Sequence, residues 1–147
     1  MSRIHTPMKH KQISARLSET KSALRHVNYA SRLHAEASTL LASLGRRQEA
    51  LDELSAAAHL SAQRAEDCEA LAFAAFQLGA HSLAHEFYRR VVEFVPQDGT
   101  AWYNLATSQR NLGFLKEAEI SCDRSLALAP QLVQAPSTTM PALGEGV

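Results

Sequence analysis

Apolar residues recur at spacings of three and four along most of the chain, which is the period of an amphipathic helix. Two successive stretches show this pattern on one face each: Leu71, Ala72, Ala75 and Leu78, then Leu83, Ala84, Phe87, Tyr88 and Val91. Gly79 lies between them, and glycine commonly ends a helix by taking the left-handed conformation. The pattern therefore predicts two helices joined by a tight turn, and an all-α fold.

The same pair of helices recurs every 34 residues. The dipeptide Leu-Gly occurs at Leu44-Gly45, Leu78-Gly79 and Leu112-Gly113, and a small residue follows at Ala50, Ala84 and Ala118. Pro96 and Pro130 close two of the units, and Ala62 occupies the corresponding position in the first. This periodicity predicts three helix–turn–helix units at residues 31–64, 65–98 and 99–132, stacked as a solenoid.

These units resemble tetratricopeptide repeats (TPR). The third does so through Trp102, Leu105, Gly113, Ala118 and Pro130, and the second through Leu71, Gly79, Ala84, Tyr88 and Pro96. The first matches at Gly45 and Ala50 but carries His34 where the third has Trp102. The resemblance covers about residues 31–132. It implies a right-handed solenoid that binds a protein or peptide in a concave groove lined by the first helix of each unit.

Groove-facing residues follow from the resemblance, unit by unit. They are Arg32, Ala35, Glu36, Thr39 and Ser43 in the first unit, Glu66, Glu69, Ala70, Phe73, Phe76 and Gln77 in the second, and Thr100, Tyr103, Asn104, Thr107, Arg110 and Asn111 in the third. The nine expected to bind peptide are Glu69, Phe73, Phe76, Gln77, Tyr103, Asn104, Thr107, Arg110 and Asn111.

Three aromatic residues of this set suggest an anchor for a peptide, namely Phe73, Phe76 and Tyr103. The other interpretation of the two phenylalanines is that they fill gaps between helices. TPR domains that grip a C-terminal carboxylate use a set of Lys, Arg and Asn residues. At the matching positions this chain has Ala35, Thr39, Ala70, Thr100 and Asn104, which disfavours that role.

The two ends of the chain differ from the repeats. Residues 1–30 form a basic segment, and we expect a helix from about Gln12 to Asn28 that caps the first unit or runs on into it. After Pro130 the pattern predicts the start of the first helix of a fourth unit, and Pro136 stops it, so residues 133–147 are expected to be a flexible tail. The apolar outer side of the last helix would then be exposed, which favours a partner, self-association or a missing domain.

Composition and motifs narrow the chemistry. The formal net charge is zero, and Cys68 and Cys122 fit a reducing compartment such as the cytoplasm. His81 and His85 have a spacing that can bind metal, but packing histidines are favoured because no third ligand is near in sequence. No phosphate loop, dinucleotide fingerprint or Gly-x-Ser-x-Gly elbow occurs. The prediction is a non-enzyme without cofactor or metal, whose partners are proteins or peptides and neither nucleic acid nor membrane.

Three functions remain open from the sequence. The favoured one is a protein-binding adaptor or scaffold that uses the groove. A second is the N-terminal TPR module of a larger enzyme, similar in layout to TPR-containing sulfotransferases. A third is a structural protein that self-associates through the exposed C-terminal face. The dibasic pairs Arg46-Arg47 and Arg89-Arg90 are expected to lie on solvated helix faces, and the basic N-terminus also has the composition of a transit peptide.

Overall fold

A computed structural model describes residues 9–24, 30–60 and 64–134, and these residues form helices joined by short turns. The helices are α1 His10–Leu24, α2 Ala30–Ser43, α3 Arg47–Ala58, α4 Ala65–Gln77, α5 His81–Phe94, α6 Gly99–Asn111, α7 Leu115–Leu128 and the single turn α8 Gln131–Gln134. The part of the chain so described contains no strand, and the predicted all-α fold is confirmed.

The turn inside each repeat is built around the predicted glycine. Gly45, Gly79 and Gly113 have φ of 74°, 69° and 82°, a region that side chains rarely tolerate. The amide after each glycine bonds the carbonyl five residues earlier, as in Arg46 N to Leu41 O at 2.9 Å. This bond satisfies a carbonyl at the helix end and turns the chain back, so the second helix of each pair lies against the first.

Pairing of α2 with α3, α4 with α5 and α6 with α7 generates the core. The small residues of the repeat pattern, Ala50, Ala84 and Ala118, are buried at these contacts and allow close approach of the two helices. Larger side chains, such as Leu54 and Phe87, fill the space beside them and are fully buried. The described residues thus have the TPR solenoid fold that the periodicity predicts.

The two junctions between repeats differ. At the first junction α4 packs mainly against α2, whereas at the second α6 packs against α5 and makes little contact with α4. The second junction also has Pro96, whose carbonyl accepts a 2.9 Å hydrogen bond from the indole of Trp102. The first unit has Ala62 in place of that proline and His34 in place of the tryptophan. Thus α2 and α4 lie side by side, whereas α6 makes little contact with α4.

Two arginines form hydrogen bonds between neighbouring repeats, which corrects part of the sequence prediction. The Arg47 guanidinium donates to the carbonyl of Leu78 at the end of α4. Arg90 donates to the carbonyl of Ala58 at the end of α3, at 2.8 Å. Terminal carbonyls lack a partner within their own helix, and a cation offsets the negative end of the helix dipole. The expectation of a solvated face is wrong for Arg90, which is half-buried, whereas Arg47 is exposed as expected.

The first residue of each dibasic pair does lie at the surface. Arg46 is exposed and bonds Glu49 through two contacts, at 2.7 and 2.6 Å. Arg89 is exposed and bonds Glu93, four residues further along α5. Exposed ion pairs of this kind contribute little to stability, because solvent and salt screen the charges. Only one member of each pair therefore has a structural role between repeats.

At the N-terminal end, α1 packs on α2. Leu17 and Thr20 are buried in this contact, and Arg16 bonds Glu36 of α2 at 2.8 Å. The sequence places this helix at about residues 12–28, of which 25–28 lie outside the described residues. Most of the predicted tail, 135–147, also lies outside them, and α8 occupies its first positions. Within the described part, no helix is both long enough and apolar enough to span a bilayer.

Candidate peptide-binding groove

A cleft of about 440 Å³ opens between the C-terminal halves of α2 and α4. Its walls are Ser38, Thr39, Ala42, Ser43, Phe73, Ala74, Gln77 and Leu78. Four residues assigned to the groove by the TPR resemblance meet here, namely Thr39, Ser43, Phe73 and Gln77. The side-by-side packing of α2 on α4 is what brings them together.

A second hollow of about 380 Å³ lies between the N-terminal ends of the same two helices. It is lined by Arg32, Arg64, Glu66, Asp67 and Ala70. Since both hollows pair like ends of α2 and α4, the two helices run parallel, and both hollows lie along the same helix–helix contact, which we call the α2–α4 trough. Residues 32 to 43 of α2 span roughly 16 Å at 1.5 Å per residue, which is about the length of a five-residue extended peptide.

The two ends of this α2–α4 trough differ in chemistry. Its N-terminal end carries charges of both signs, from Arg32 and Arg64 and from Glu66 and Asp67. Its C-terminal end is apolar with hydroxyl groups around it. There Phe73 is 58 % exposed, more than any other described Phe, Tyr or Trp, so its side chain is open to a ligand. A ligand with an apolar group at one end and charge at the other would match both halves.

Hydroxyl groups beside Phe73 add hydrogen-bonding capacity. Thr39 donates to the Ala35 carbonyl and Ser43 to the Thr39 carbonyl, each at 3.0 Å, so both oxygens retain free lone pairs. The Ser38 hydroxyl is buried and has no hydrogen-bond partner among the described residues. A buried hydroxyl left in this state costs about 1–3 kcal/mol. A water molecule or a polar ligand atom deep in the cleft would remove that cost.

Phe76 does not join Phe73 in the trough. It is half-buried and packs edge-on against His81, with ring centroids 6.2 Å apart at 70°. It therefore fills the space between α4 and the start of α5, which is the second of the two roles considered for it. Glu69 and Gln77 are exposed on α4, and of these only Gln77 lines the cleft.

The predicted residues of the third unit lie on α6 and line neither hollow. Tyr103 and Thr107 are buried, Asn104 is half-buried, and Arg110 is exposed. Asn111 is exposed as well, with its amide nitrogen 3.5 Å from Nδ1 of His81. Because Tyr103 is buried, its ring offers almost no surface to a ligand in this conformation.

Both histidines with metal-ligand spacing contact neighbouring side chains. His81 contacts Phe76 and Asn111, and His85 packs edge-on against Phe114 with centroids 5.8 Å apart. Burial lowers the pKa of His85, with Arg89 acting in the same direction. No group of three or more His, Cys, Asp or Glu side chains within the described ranges is arranged to hold a metal ion.

The fold and its repeats define the chain as a TPR-like helical repeat protein. No protein-family model and no curated protein matches it. A crystal structure of MamA is similar to it at 15 % identity over 84 % of this chain and 72 % of that chain, with a TM-score of 0.62. MamA residues 41 to the end, from Desulfovibrio magneticus RS-1, gives 20 % identity, coverage of 82 % and 74 %, and a TM-score of 0.57.

A third similar structure is the MamA RS-1 ArsTM double mutant. It has 19 % identity to this chain, covers 82 % of this chain and 67 % of its own, and has a TM-score of 0.60. At identities this low the likeness concerns the fold, which is the helical solenoid described above.

Proposed function

We propose that the chain is a peptide-binding scaffold whose α2–α4 trough holds an extended segment of a partner protein. The observation that carries the proposal is the exposed ring of Phe73 in a cleft that also offers hydroxyl groups. Solvent-exposed aromatic residues in concave sites are frequent energetic centres of protein recognition. The described residues serve this function by binding and not by catalysis.

The chemistry of the trough specifies the class of ligand. An apolar side chain of the peptide would pack on Phe73, and backbone amides would donate to the free lone pairs of Thr39 and Ser43. Peptide residues three or four positions from that apolar side chain would reach the charged end around Arg32 and Glu66. The expected motif is therefore an apolar residue separated from charged residues by about three positions.

Selection from a random peptide library displayed on phage tests this proposal directly. Peptides selected on the wild-type chain should lose about tenfold to a hundredfold in affinity when Phe73→Ala is introduced, because an aromatic anchor is removed. Ile120→Ala is the matched control, since Ile120 is 62 % exposed but lines neither hollow. The affinity of Ile120→Ala for the selected peptides should equal that of the wild type.

Results of two kinds would contradict the proposal. In the first, selected peptides bind Phe73→Ala and the wild type equally well. In the second, Arg110→Ala on α6 abolishes binding while Phe73→Ala does not, which would move the site to the third repeat. Circular dichroism of each variant verifies that the helices are intact, and both Phe73 and Arg110 are exposed, so neither change opens a cavity.

A further inference from the structure

The outer surface of α7 carries an apolar stripe that no other described helix covers fully. Leu115, Glu119, Cys122 and Leu126 follow one another at spacings of three and four, so they share one face of the helix. Leu115 is 66 % exposed and Leu126 is 36 % exposed. We call these four residues the α7 stripe.

The corresponding stripe of the preceding repeat is an interface between repeats. Its residues, 34 positions earlier, are His81, His85, Tyr88 and Val92. The third repeat packs on them, through α6 and through Asn111 and Phe114, and leaves Tyr88 5 % and Val92 6 % exposed. The α7 stripe is thus the next copy of a surface that, in this molecule, serves to receive a helix.

Only α8 follows α7 among the described residues, and it is a single turn that contacts α7. It leaves Leu115 largely in solvent. Among the described residues the α7 stripe is therefore open to a helix of another chain.

We propose that the α7 stripe docks on the same stripe of a second copy of this chain, as an antiparallel helix pair around a two-fold axis. The inference is independent of the trough. The stripe is self-complementary, because Leu115 and Leu126 lie at equal distances from the midpoint between residues 120 and 121. In an antiparallel pair with this midpoint, Leu115 of each copy packs on Leu126 of the other.

Charges along the solvent side of the stripe also complement one another. Lys116 and Asp123 are exposed and lie on the same flank of α7. In the antiparallel pair, Lys116 of each copy comes beside Asp123 of the other, which gives two equivalent ion pairs at the edge of the contact.

Stacking of the α7 stripe on the opposite end of a second copy fits less well. That end is formed by α1, whose exposed residues include Lys11, Gln12, Ser18 and Glu19. Covering an apolar stripe with such a surface would bury polar groups without partners. In the symmetric arrangement the leucines of each copy cover those of the other, and Glu119 is the charged residue that it brings into the contact.

Sedimentation velocity across about 1 to 500 µM tests the proposal, since one helix per copy is a small interface and we expect a dissociation constant on the order of 10–100 µM. Leu126→Glu and Leu115→Glu should each raise the dissociation constant of the dimer at least about tenfold. Ile120→Glu should leave it unchanged, because Ile120 is as exposed as Leu115 but points away from the stripe. Glu119→Leu should tighten the dimer, since it replaces a charge in the middle of the contact.

A charge exchange identifies the geometry. Lys116→Asp alone and Asp123→Lys alone should each weaken the dimer, and the double variant should restore it, because the ion pairs are then re-formed with reversed sign. These changes are at exposed positions and should not affect folding. A monomer at every concentration would overturn the proposal and favour residues 135–147 of the same chain as the occupant. A dissociation constant that Leu126→Glu leaves unchanged would also overturn it. So would a double charge variant whose dimer stays as weak as that of the single variants.

Discussion

Gly99 is the first residue of α6, and substitution by alanine should destabilise the protein although the backbone there is ordinary for a helix. A Cβ at this position would lie 2.6 Å from the Cβ of Ala129, 3.1 Å from its backbone nitrogen and 3.2 Å from the Ser125 carbonyl. Carbon atoms in contact are normally about 3.5–4.0 Å apart. Two of the three opposing atoms are backbone, so relief requires the start of α6 to move away from the end of α7.

Such a movement would also weaken a buried hydrogen bond. The Ser125 hydroxyl donates to the Gly99 carbonyl at 2.8 Å, and both residues are buried. Overpacking in a well-filled site costs about 1–3 kcal/mol, whereas Gly→Ala inside a helix would by itself stabilise by up to about 1 kcal/mol. The net expectation for Gly99→Ala is a loss of about 1–2 kcal/mol in the free energy of unfolding.

Urea unfolding followed by circular dichroism measures this loss, and a second substitution tests its cause. Ala129→Gly removes the nearest opposing atom, so the double variant Gly99→Ala with Ala129→Gly should lose less stability than the sum of the two single changes. If Gly99→Ala is as stable as the wild type, or if the two effects simply add, the close approach of α6 to α7 is not what requires glycine.

Three other predictions concern contacts inside the solenoid. Arg90→Ala should destabilise by about 1–3 kcal/mol, because it removes a part-buried bond to the α3 terminus, whereas Arg89→Ala on the exposed side should change stability by less than about 0.5 kcal/mol in the same urea assay. Ser121→Ala should cost about 1–3 kcal/mol, since Gln109 Oε1 would lose its 2.7 Å buried donor, and Ser121→Thr should recover part of it if the added methyl fits. Burial raises the pKa of Tyr88 to about 12, so the unfolded chain loses this proton first and stability should fall as the pH rises from about 10 to 12, by up to about 2–3 kcal/mol. Urea midpoints measured against pH should show a smaller fall in Tyr88→Phe, and an equal fall in both proteins would contradict the assignment.

The repeat pattern contained most of the information about the fold. Leu44-Gly45 and its two copies predicted the turns, because glycine at a left-handed position is a local requirement that sequence shows directly. The small residues of the pattern predicted that the two helices of each unit lie close together, because only a small side chain permits this approach. These residues are Ala50, Ala84 and Ala118. The structure confirmed both.

The groove was harder to predict because it depends on how one repeat sits on the next. Thr39, Ser43, Phe73 and Gln77 meet around one cleft because α4 packs on α2. The equivalent residues of α6 do not join them, because α6 packs on α5. The 34-residue period is the same across both junctions, so it does not reveal this difference in packing. Arg47 and Arg90 show the same limit, because each reaches a carbonyl more than 30 residues away that no local pattern identifies.

An NMR titration of the ¹⁵N-labelled chain with a library-selected peptide shows whether the α2–α4 trough binds an extended peptide. We expect the backbone amide signals of Thr39, Phe73 and Gln77 to shift together with a single dissociation constant, and those of α7 to stay in place. Shifts confined to α6, around Asn104 and Arg110, would contradict it.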